Sequence, residues 1–300
     1  QHKPNRPDSI VEGQLIEIIA DSNGLLWIAS ASNGVSLLDP TSNRATNFTH
    51  IDSASDSLPS NKTSAVYEDI QGRIWISTSQ GLALYKAEQN AFFGITQNNS
   101  EIPTDAIISI YQSIDGMFWI GTHSGMVAGK QSKFRRYNDH NTNLSNNSVN
   151  AFTKTDDGSF WVGTDDGLNR LRLNTDRFEW INESSLPSIS SPTVMSLYND
   201  GDFLWVGTLY RCLNKIDISS NEVTSYKHNS QYLSSIGANG ITSILRISSG
   251  HLLIGTYGSG LSIFNSVDES FENLQTDIND NSSISNNMVL TLYEDSAGDV

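Results

Sequence analysis

Cysteine, positive charge and long apolar runs are all scarce in this sequence. Cys212 is the only cysteine among 300 residues, so no internal disulfide can form and a cysteine-based zinc cluster is excluded. The 18 basic residues face 33 acidic ones, a net charge of −15, which argues against a nucleic-acid partner because neutralising phosphates requires clustered Lys and Arg. No apolar run reaches about 18 residues, so we expect no membrane contact by this segment and no signal peptide within it.

What the sequence does contain is a repeat. Its clearest copy is DDGSFWVGTDDGLN at Asp156–Asn169, centred on Trp161. The other copies are centred on Trp27, Trp75, Trp119, Trp205 and Leu253, and successive centres are 48, 44, 42, 44 and 48 residues apart. A period of this length with strand-like content is typical of propellers and solenoids. We therefore predict one repeat domain over residues 1–300, although length alone would suggest two domains.

Each repeat predicts four antiparallel strands. The first is a short apolar strand with a small residue at its third position, except at Glu17, and these strands begin near residues 15, 63, 107, 149, 194, 241 and 289. A turn such as Asp21–Gly24 or Asp69–Gly72 then leads into the Trp-containing strand, since Asp can bond its own downstream backbone and Gly supplies a positive φ. A third strand and an aromatic-marked fourth strand complete one propeller blade.

The predicted fold is therefore all-β: a β-propeller of four-stranded antiparallel blades. Six blades are complete, and Val289–Glu294 is predicted to be the first strand of a seventh. An open last blade would leave strand edges unpaired. We therefore expect the chain to be most of a seven-bladed ring, a fragment of a longer repeat array that continues beyond Val300.

The repeat resembles the two-component regulator propeller repeat. The Trp, the Gly-Thr pair and an S-[LI]-S-x-N joint recur together, and the joint is seen at residues 57–61, 143–149 and 283–289. The resemblance covers essentially the whole chain. It implies a periplasmic ligand-sensing region of a bacterial receptor anchored in the inner membrane, with a histidine kinase or diguanylate cyclase output outside this chain. Signalling through a single membrane helix further implies self-association of the parent receptor.

Departures from the repeat in the loops between second and third strands are the candidate ligand-binding residues. Such loops open on one face of a propeller, where small-molecule sites tend to lie. The candidates are His123, Asp165, Asp166, Tyr210, Arg211 and Tyr257. Exposed Tyr and Arg are typical of binding hot spots, and Tyr faces can stack on sugar rings. We expect a small ligand, with an oligosaccharide ahead of a peptide or a small acid.

No cofactor is predicted, but calcium stays open as a ligand. Asp165 or Asp166 could hold it together with loop carbonyl oxygens, because calcium prefers oxygen ligands. The six histidines share no spacing that would place two of them on one metal ion.

Two other functions stay open. In the first, the propeller is a scaffold that binds another protein or its own copy, and needs no saturable small ligand. The second, a propeller lyase or hydrolase, is less favoured, because Glu68-Asp69 and Glu294-Asp295 occupy one repeat position, which is typical of turn chemistry. The chain also contains no H-E-x-x-H or G-x-S-x-G motif. We predict no catalytic residue in this segment.

Overall fold

A computed structural model of the protein describes residues 8–98, 100, 102, 104, 106–113, 116–130, 133–171, 178–182, 188–280, 282–295 and 297–300. The chain divides into two compact units, residues 1–137 and 138–300. Each unit holds three four-stranded antiparallel sheets whose strands follow one another in chain order. These six sheets are the six predicted blades, and we number them in chain order. The prediction of one domain over residues 1–300 stays a prediction.

The first unit contains blades one to three. Their strands are β1 Leu15–Ala20, β2 Leu26–Ser30, β3 Gly34–Asp39 and β4 Arg44–Phe48; β5 Thr63–Glu68, β6 Ile74–Thr78, β7 Gly81–Lys86 and β8 Ala91–Ile95; and β9 Ile107–Gln112, β10 Phe118–Thr122, β11 Gly125–Lys130 and β12 Lys133–Tyr137.

The second unit contains blades four to six, preceded by the short helix α1 Asp139–Thr142. Their strands are β13 Val149–Lys154, β14 Phe160–Thr164, β15 Gly167–Leu171 and β16 Phe178–Ile181; β17 Val194–Asp200, β18 Phe203–Thr208, β19 Leu213–Asp217 and β20 Val223–Tyr226; and β21 Ile241–Arg246, β22 Leu252–Thr256, β23 Leu261–Asn265 and β24 Ser270–Leu274. In the described ranges, no helix is long and apolar enough to cross a membrane.

The turn between first and second strands is built as the sequence predicts. In the first blade, the Asp21 carbonyl accepts the Gly24 N–H at 2.9 Å, and Gly24 has a φ of +79°. The Asp21 carboxylate accepts the N–H groups of Asn23 and Leu25 at 2.9 and 3.0 Å. Its second oxygen accepts the Trp27 indole N–H at 3.0 Å. One aspartate therefore fixes both the turn and the central Trp.

This anchoring of the indole recurs in other blades. Trp75 donates to Asp69 at 2.8 Å, Trp161 to Thr155 at 3.0 Å and Trp205 to Asp200 at 3.1 Å. The Trp side chains are almost completely buried, for example 0% exposed at Trp161. A buried Trp keeps its large apolar area only if its N–H finds an acceptor, which explains why the turn and the Trp recur together.

The glycine of the Gly-Thr pair is required by the packing of neighbouring blades within a unit. A Cβ on Gly163 would lie 2.6 Å from Val194 Cγ1, and one on Gly207 would lie 2.7 Å from Ile241 Cγ2. Val194 and Ile241 each begin the first strand of the next blade. Facing strand positions must be small as well, and Ser196 lies opposite Gly207. The small residues at these positions therefore serve the packing of neighbouring blades.

The joint between blades is held by its Leu or Ile and its Asn. Leu58 and Ile236 are 1% and 0% exposed. Asn239 accepts the backbone N–H of His228 through its side-chain oxygen at 2.8 Å, while the His228 ring lies 2.8 Å from the Ile236 carbonyl oxygen. The Leu or Ile of the joint thus packs between blades, and its Asn accepts a backbone N–H just after the fourth strand.

Two predicted elements need comment. Val289–Glu294 forms no strand among the described residues, so that prediction was wrong. A first strand pairs with the Trp strand of its own blade, and in the described residues no such strand pairs with this segment. It nevertheless keeps one contact of a first strand, because Glu294 accepts the Ser248 N–H as Glu68 accepts that of Ser22. In blade four the repeat pattern predicts a third strand at 168–173. The described part of that strand is β15 Gly167–Leu171, and residues 172 and 173 lie outside the described residues.

Candidate functional site

The loops between second and third strands are closed by the Thr of the Gly-Thr pair. Thr122 donates its hydroxyl to the Gly125 carbonyl at 2.7 Å, and Thr164 does the same to Gly167 at 3.0 Å. The Thr oxygen in turn accepts a loop N–H, as from Asp166 at 3.2 Å. Because the buried Thr holds both ends, the residues between them are presented outward on a fixed base.

Blade five keeps this closure although it lacks the glycine. Cys212 stands at the glycine position, and its carbonyl accepts the Thr208 hydroxyl at 2.7 Å. The side chain of Cys212 is completely buried, and burial raises the pKa of its thiol. Cys212 is therefore part of the base of the loop, while its neighbours Tyr210 and Arg211 are exposed.

Five of the six candidate residues lie on equivalent loops of the second unit. Asp165 and Asp166 belong to blade four, Tyr210 and Arg211 to blade five and Tyr257 to blade six. The two tyrosines are 70% and 56% exposed. His123 is exposed on the equivalent loop of blade three, in the first unit.

Hydrogen bonds connect the loops of blades four and five. Thr193 donates its hydroxyl to the Asp165 carbonyl at 3.2 Å, and its own carbonyl accepts the Leu209 N–H at 3.0 Å. Asn150 donates to the Asp165 carboxylate at 2.9 Å and to the Val194 carbonyl at 3.1 Å. Asp165 is therefore engaged in holding the two blades together, and it is a positioning residue of the loop face.

The blade-six loop is fixed through its backbone. Tyr257 donates its N–H to the Gly240 carbonyl at 2.9 Å and forms an isolated antiparallel bridge with Met288. Its ring is left exposed, as is that of Tyr210. The arrangement offers aromatic faces, a carboxylate at Asp166 and a guanidinium at Arg211 on a rigid base, which suits hydrogen-bonded and stacked recognition of a polar ligand.

The arrangement of side chains gives little support for a metal site. Across the described parts of the chain, no three His, Cys, Asp or Glu side chains come together in a way that could hold an ion. Calcium at Asp165 or Asp166 would depend on backbone oxygens and stays a prediction.

Glu17 is a special residue whose chemistry sequence reasoning missed. Its carboxylate, in blade one, accepts the Val66 N–H of blade two at 2.6 Å. Burial raises the pKa of Glu17 to about 7, against the opposing effect of that hydrogen bond. The available signal was its place in the repeat, where every other first strand has a small residue.

Comparisons with known proteins agree with the repeat pattern. Residues 57–80 and 143–166 match the family described as two component regulator propeller. Each matched segment runs from the joint through the first strand to the Trp strand and its loop. No curated protein matches the chain.

Solved structures share the fold. The extracellular domain of BT4673 from B. thetaiotaomicron, described as a proposed one-component system, superposes with a TM-score of 0.80 at 20% identity, covering 97% of this chain and 37% of that one. The extracellular domain of BT3049, a proposed hybrid two-component system of the same organism, gives 0.79 at 23% identity, covering 97% and 40%. The chain thus spans about two fifths of the length of these relatives.

An enzyme shares the fold as well. Virginiamycin B lyase from Staphylococcus aureus superposes with a TM-score of 0.67 at 15% identity, covering 91% of this chain and 86% of the lyase. The fold alone therefore does not separate a regulator from an enzyme, whereas the two matched segments are similar to repeats of regulator propellers. The chain is an all-β propeller of six four-stranded blades, and two of its segments are similar to the two-component regulator propeller repeat.

Proposed function

We propose that this chain is the extracytoplasmic sensing propeller of a bacterial signal-transduction receptor, and that it binds a small ligand at the loops of blades four to six. The observation that carries the proposal is the pair of exposed rings, Tyr210 and Tyr257, on loops whose bases are fixed by buried Thr208 and Thr256. Large aromatic side chains gain nothing for the fold in such positions, and they are typical of binding sites.

The ligand we favour is an oligosaccharide. Tyrosine rings offer apolar faces to the C–H side of a sugar ring, and the charged and hydroxyl groups beside them suit its hydroxyls. The similarity to extracellular domains of proposed one-component and hybrid two-component systems supports a sensing role outside the cytoplasm. We further propose a periplasmic location in a membrane-anchored, self-associating receptor. For the ligand to signal, it must bind two arrangements of that receptor with different affinity.

The test is a thermal-shift and calorimetric screen of the chain against oligosaccharides, peptides, organic acids and calcium. A ligand at 100 times its Kd should add about 2.7 kcal/mol to stability. Tyr210→Ala and Tyr257→Ala should weaken binding about tenfold or more without lowering the melting temperature. The matched control is Phe93→Ala, which removes a ring that is 54% exposed on an outer strand. Equal losses in all three variants would contradict the proposed site.

A second candidate function is a protein-binding scaffold. It is favoured by apolar side chains on the blade-to-blade loops of the second unit, where Leu233 and Ile278 are 95% and 97% exposed and Tyr232 is 63% exposed. If the ligand screen gives no shift in a cooperatively melting protein, sedimentation of wild type against Leu233→Ser and Ile278→Ser will test it. Weaker self-association in these variants would support the scaffold function.

A further inference from the structure

A groove lies between blades one and two of the first unit, apart from the loops discussed above. It has a volume of about 500 Å³, and Leu25, Leu37 and Tyr85 are among the apolar residues that line it. Asp21 and Glu88 contribute carboxylates to its lining. The groove is formed where the turn after β1 meets the turn between β7 and β8.

The contact between blades five and six in the second unit contains a pair of aromatic rings equivalent to the pair beside the groove. The Trp27 and Tyr85 ring centroids are 4.9 Å apart at 67°, and those of Trp205 and Phe264 are 5.0 Å apart at 70°. Strand register makes Leu37 equivalent to Lys215, because each lies opposite the Trp of its blade. The two places can therefore be compared residue by residue.

In the second unit, a lysine of the chain itself occupies this place. The Lys215 ammonium lies 4.3 Å from the centroid of the Phe203 ring and 3.2 Å from the Glu269 carboxylate. Arg246 adds a second cation, which is paired with Asp200. Burial acts to raise the pKa of Asp200, but the hydrogen bond and charge of Arg246 and the charge of Lys215 contribute to a net lowering. An ammonium is thus well accommodated between aromatic rings and two carboxylates.

The groove between blades one and two lacks both cations. Leu37 stands in place of Lys215, and Glu68 stands in place of Arg246. Asp21 keeps its bond to the Trp27 indole, yet among the described residues it has no ion pair. Two other cations line the groove. Arg73 is paired with Asp69 at 2.6 Å, and the second cation is Lys86.

We propose that the groove between blades one and two binds an organic cation, a primary ammonium on an aliphatic chain, in the place that Lys215 takes between blades five and six. The aliphatic chain lies on Leu25 and Leu37, and the ammonium faces Asp21 and Glu88. The chain's net charge of −15 favours the approach of such a ligand. The ligand class is free alkylamines and diamines.

The experiment is a titration followed by the indole N–H resonances of the six tryptophans, using n-pentylamine as the probe. The Trp27 resonance should shift and saturate, because its N–H is bonded to the Asp21 carboxylate that receives the ammonium. The Trp205 resonance should stay in place, since Lys215 already fills the equivalent position. 1-Pentanol, which has the same chain without the charge, should bind at least tenfold more weakly.

Leu37→Lys combined with Asn90→Glu gives the matched variant, because it installs the Lys215 and Glu269 pair in the groove. Asn90 and Glu269 have φ values of +50° and +55°, so the backbone accommodates the change. This variant should lose pentylamine binding at least tenfold, and Glu88→Gln should weaken it in a chain that is otherwise unaltered. Lys215→Leu combined with Glu269→Asn should make the Trp205 resonance respond instead.

Three results would overturn the proposal. They are a Trp27 resonance unmoved by pentylamine in the wild type, an equal response to 1-pentanol, and full retention of binding in the Leu37→Lys, Asn90→Glu variant with a well-dispersed spectrum. Variants at Tyr210 and Tyr257 should leave this titration unchanged, so its outcome is independent of the loop site.

Discussion

Replacing Glu17 by Gln should change how the stability of this protein depends on pH. The carboxyl joins blade one to blade two through the Val66 N–H, and burial raises the pKa of Glu17 from 4.5 to about 7. Between these two values the folded protein keeps a proton that the unfolded chain releases. The free energy of unfolding contributed by Glu17 is therefore full below pH 4.5, falls as pH rises towards 7, and is lost above it.

The size of the effect follows from the two values. At about 1.4 kcal/mol per pH unit, the interval from 4.5 to about 7 corresponds to about 3 kcal/mol. Gln cannot ionise, yet its side-chain oxygen can still accept the Val66 N–H. The stability of wild type relative to Glu17→Gln should thus fall by about 3 kcal/mol between pH 4.5 and 8. Other carboxylates act equally in both proteins, so the difference isolates Glu17.

Urea unfolding at half-unit steps of pH, followed by Trp fluorescence, measures this difference. Glu222→Gln is the control, because it removes a carboxylate from an exposed turn position. A difference between wild type and Glu17→Gln that stays constant from pH 4.5 to 8 would refute the reasoning, since it would mean that folding does not alter the proton affinity of Glu17.

Three further predictions concern the scaffold. Gly207→Ala should cost about 1–3 kcal/mol by overpacking, because the new Cβ would lie 2.7 Å from Ile241 Cγ2 and 3.0 Å from Ile241 Cβ. Gly94→Ala, with its nearest contact at 3.4 Å, should melt like wild type. Asp69→Ala should cost about 3 kcal/mol in urea unfolding at neutral pH, because Arg73 and buried N–H groups are left unpaired. Hydrogen bonds outweigh burial and lower the pKa of folded Asp69, so the stability that Asp69 contributes decreases as the carboxylate is protonated at low pH. The difference in unfolding free energy between wild type and Asp69→Ala should therefore shrink near pH 3. Asn239→Ala should cost about 1 kcal/mol in the same assay, and an unchanged midpoint would contradict the role of the joint.

The fold could be predicted from the sequence because each repeat encodes its own turns and strands. The Asp of the turn, the Gly with positive φ and the buried Trp act within about seven residues, so local physics fixes the hairpin wherever they recur. The prediction of a strand at Val289–Glu294 was wrong because a strand also needs a partner. Its sequence is that of a first strand, but a strand exists only when it is paired, and Val289–Glu294 joins none of the six sheets of the described residues.

The loop site could be predicted only in part. Exposure of Tyr210 and Tyr257 follows from their place between the two ends of a closed loop. The hydrogen bonds of Asp165 could not be predicted from the sequence, because the Thr193 hydroxyl and the Asn150 amide that donate them are 28 and 15 residues away. The sequence pattern thus locates a loop residue, while contacts between blades decide whether its side chain is available.

The groove between blades one and two shows why such contacts escape a reading of single repeats. Leu37 looks like an ordinary apolar strand residue, and Asn90 looks like an ordinary turn residue at positive φ. Their meaning appears only when both are set beside Lys215 and Glu269, which are 54 residues apart and meet across two blades. In a repeat fold, equivalent positions of different blades can be compared directly, so the ion pair between blades five and six shows what is absent between blades one and two.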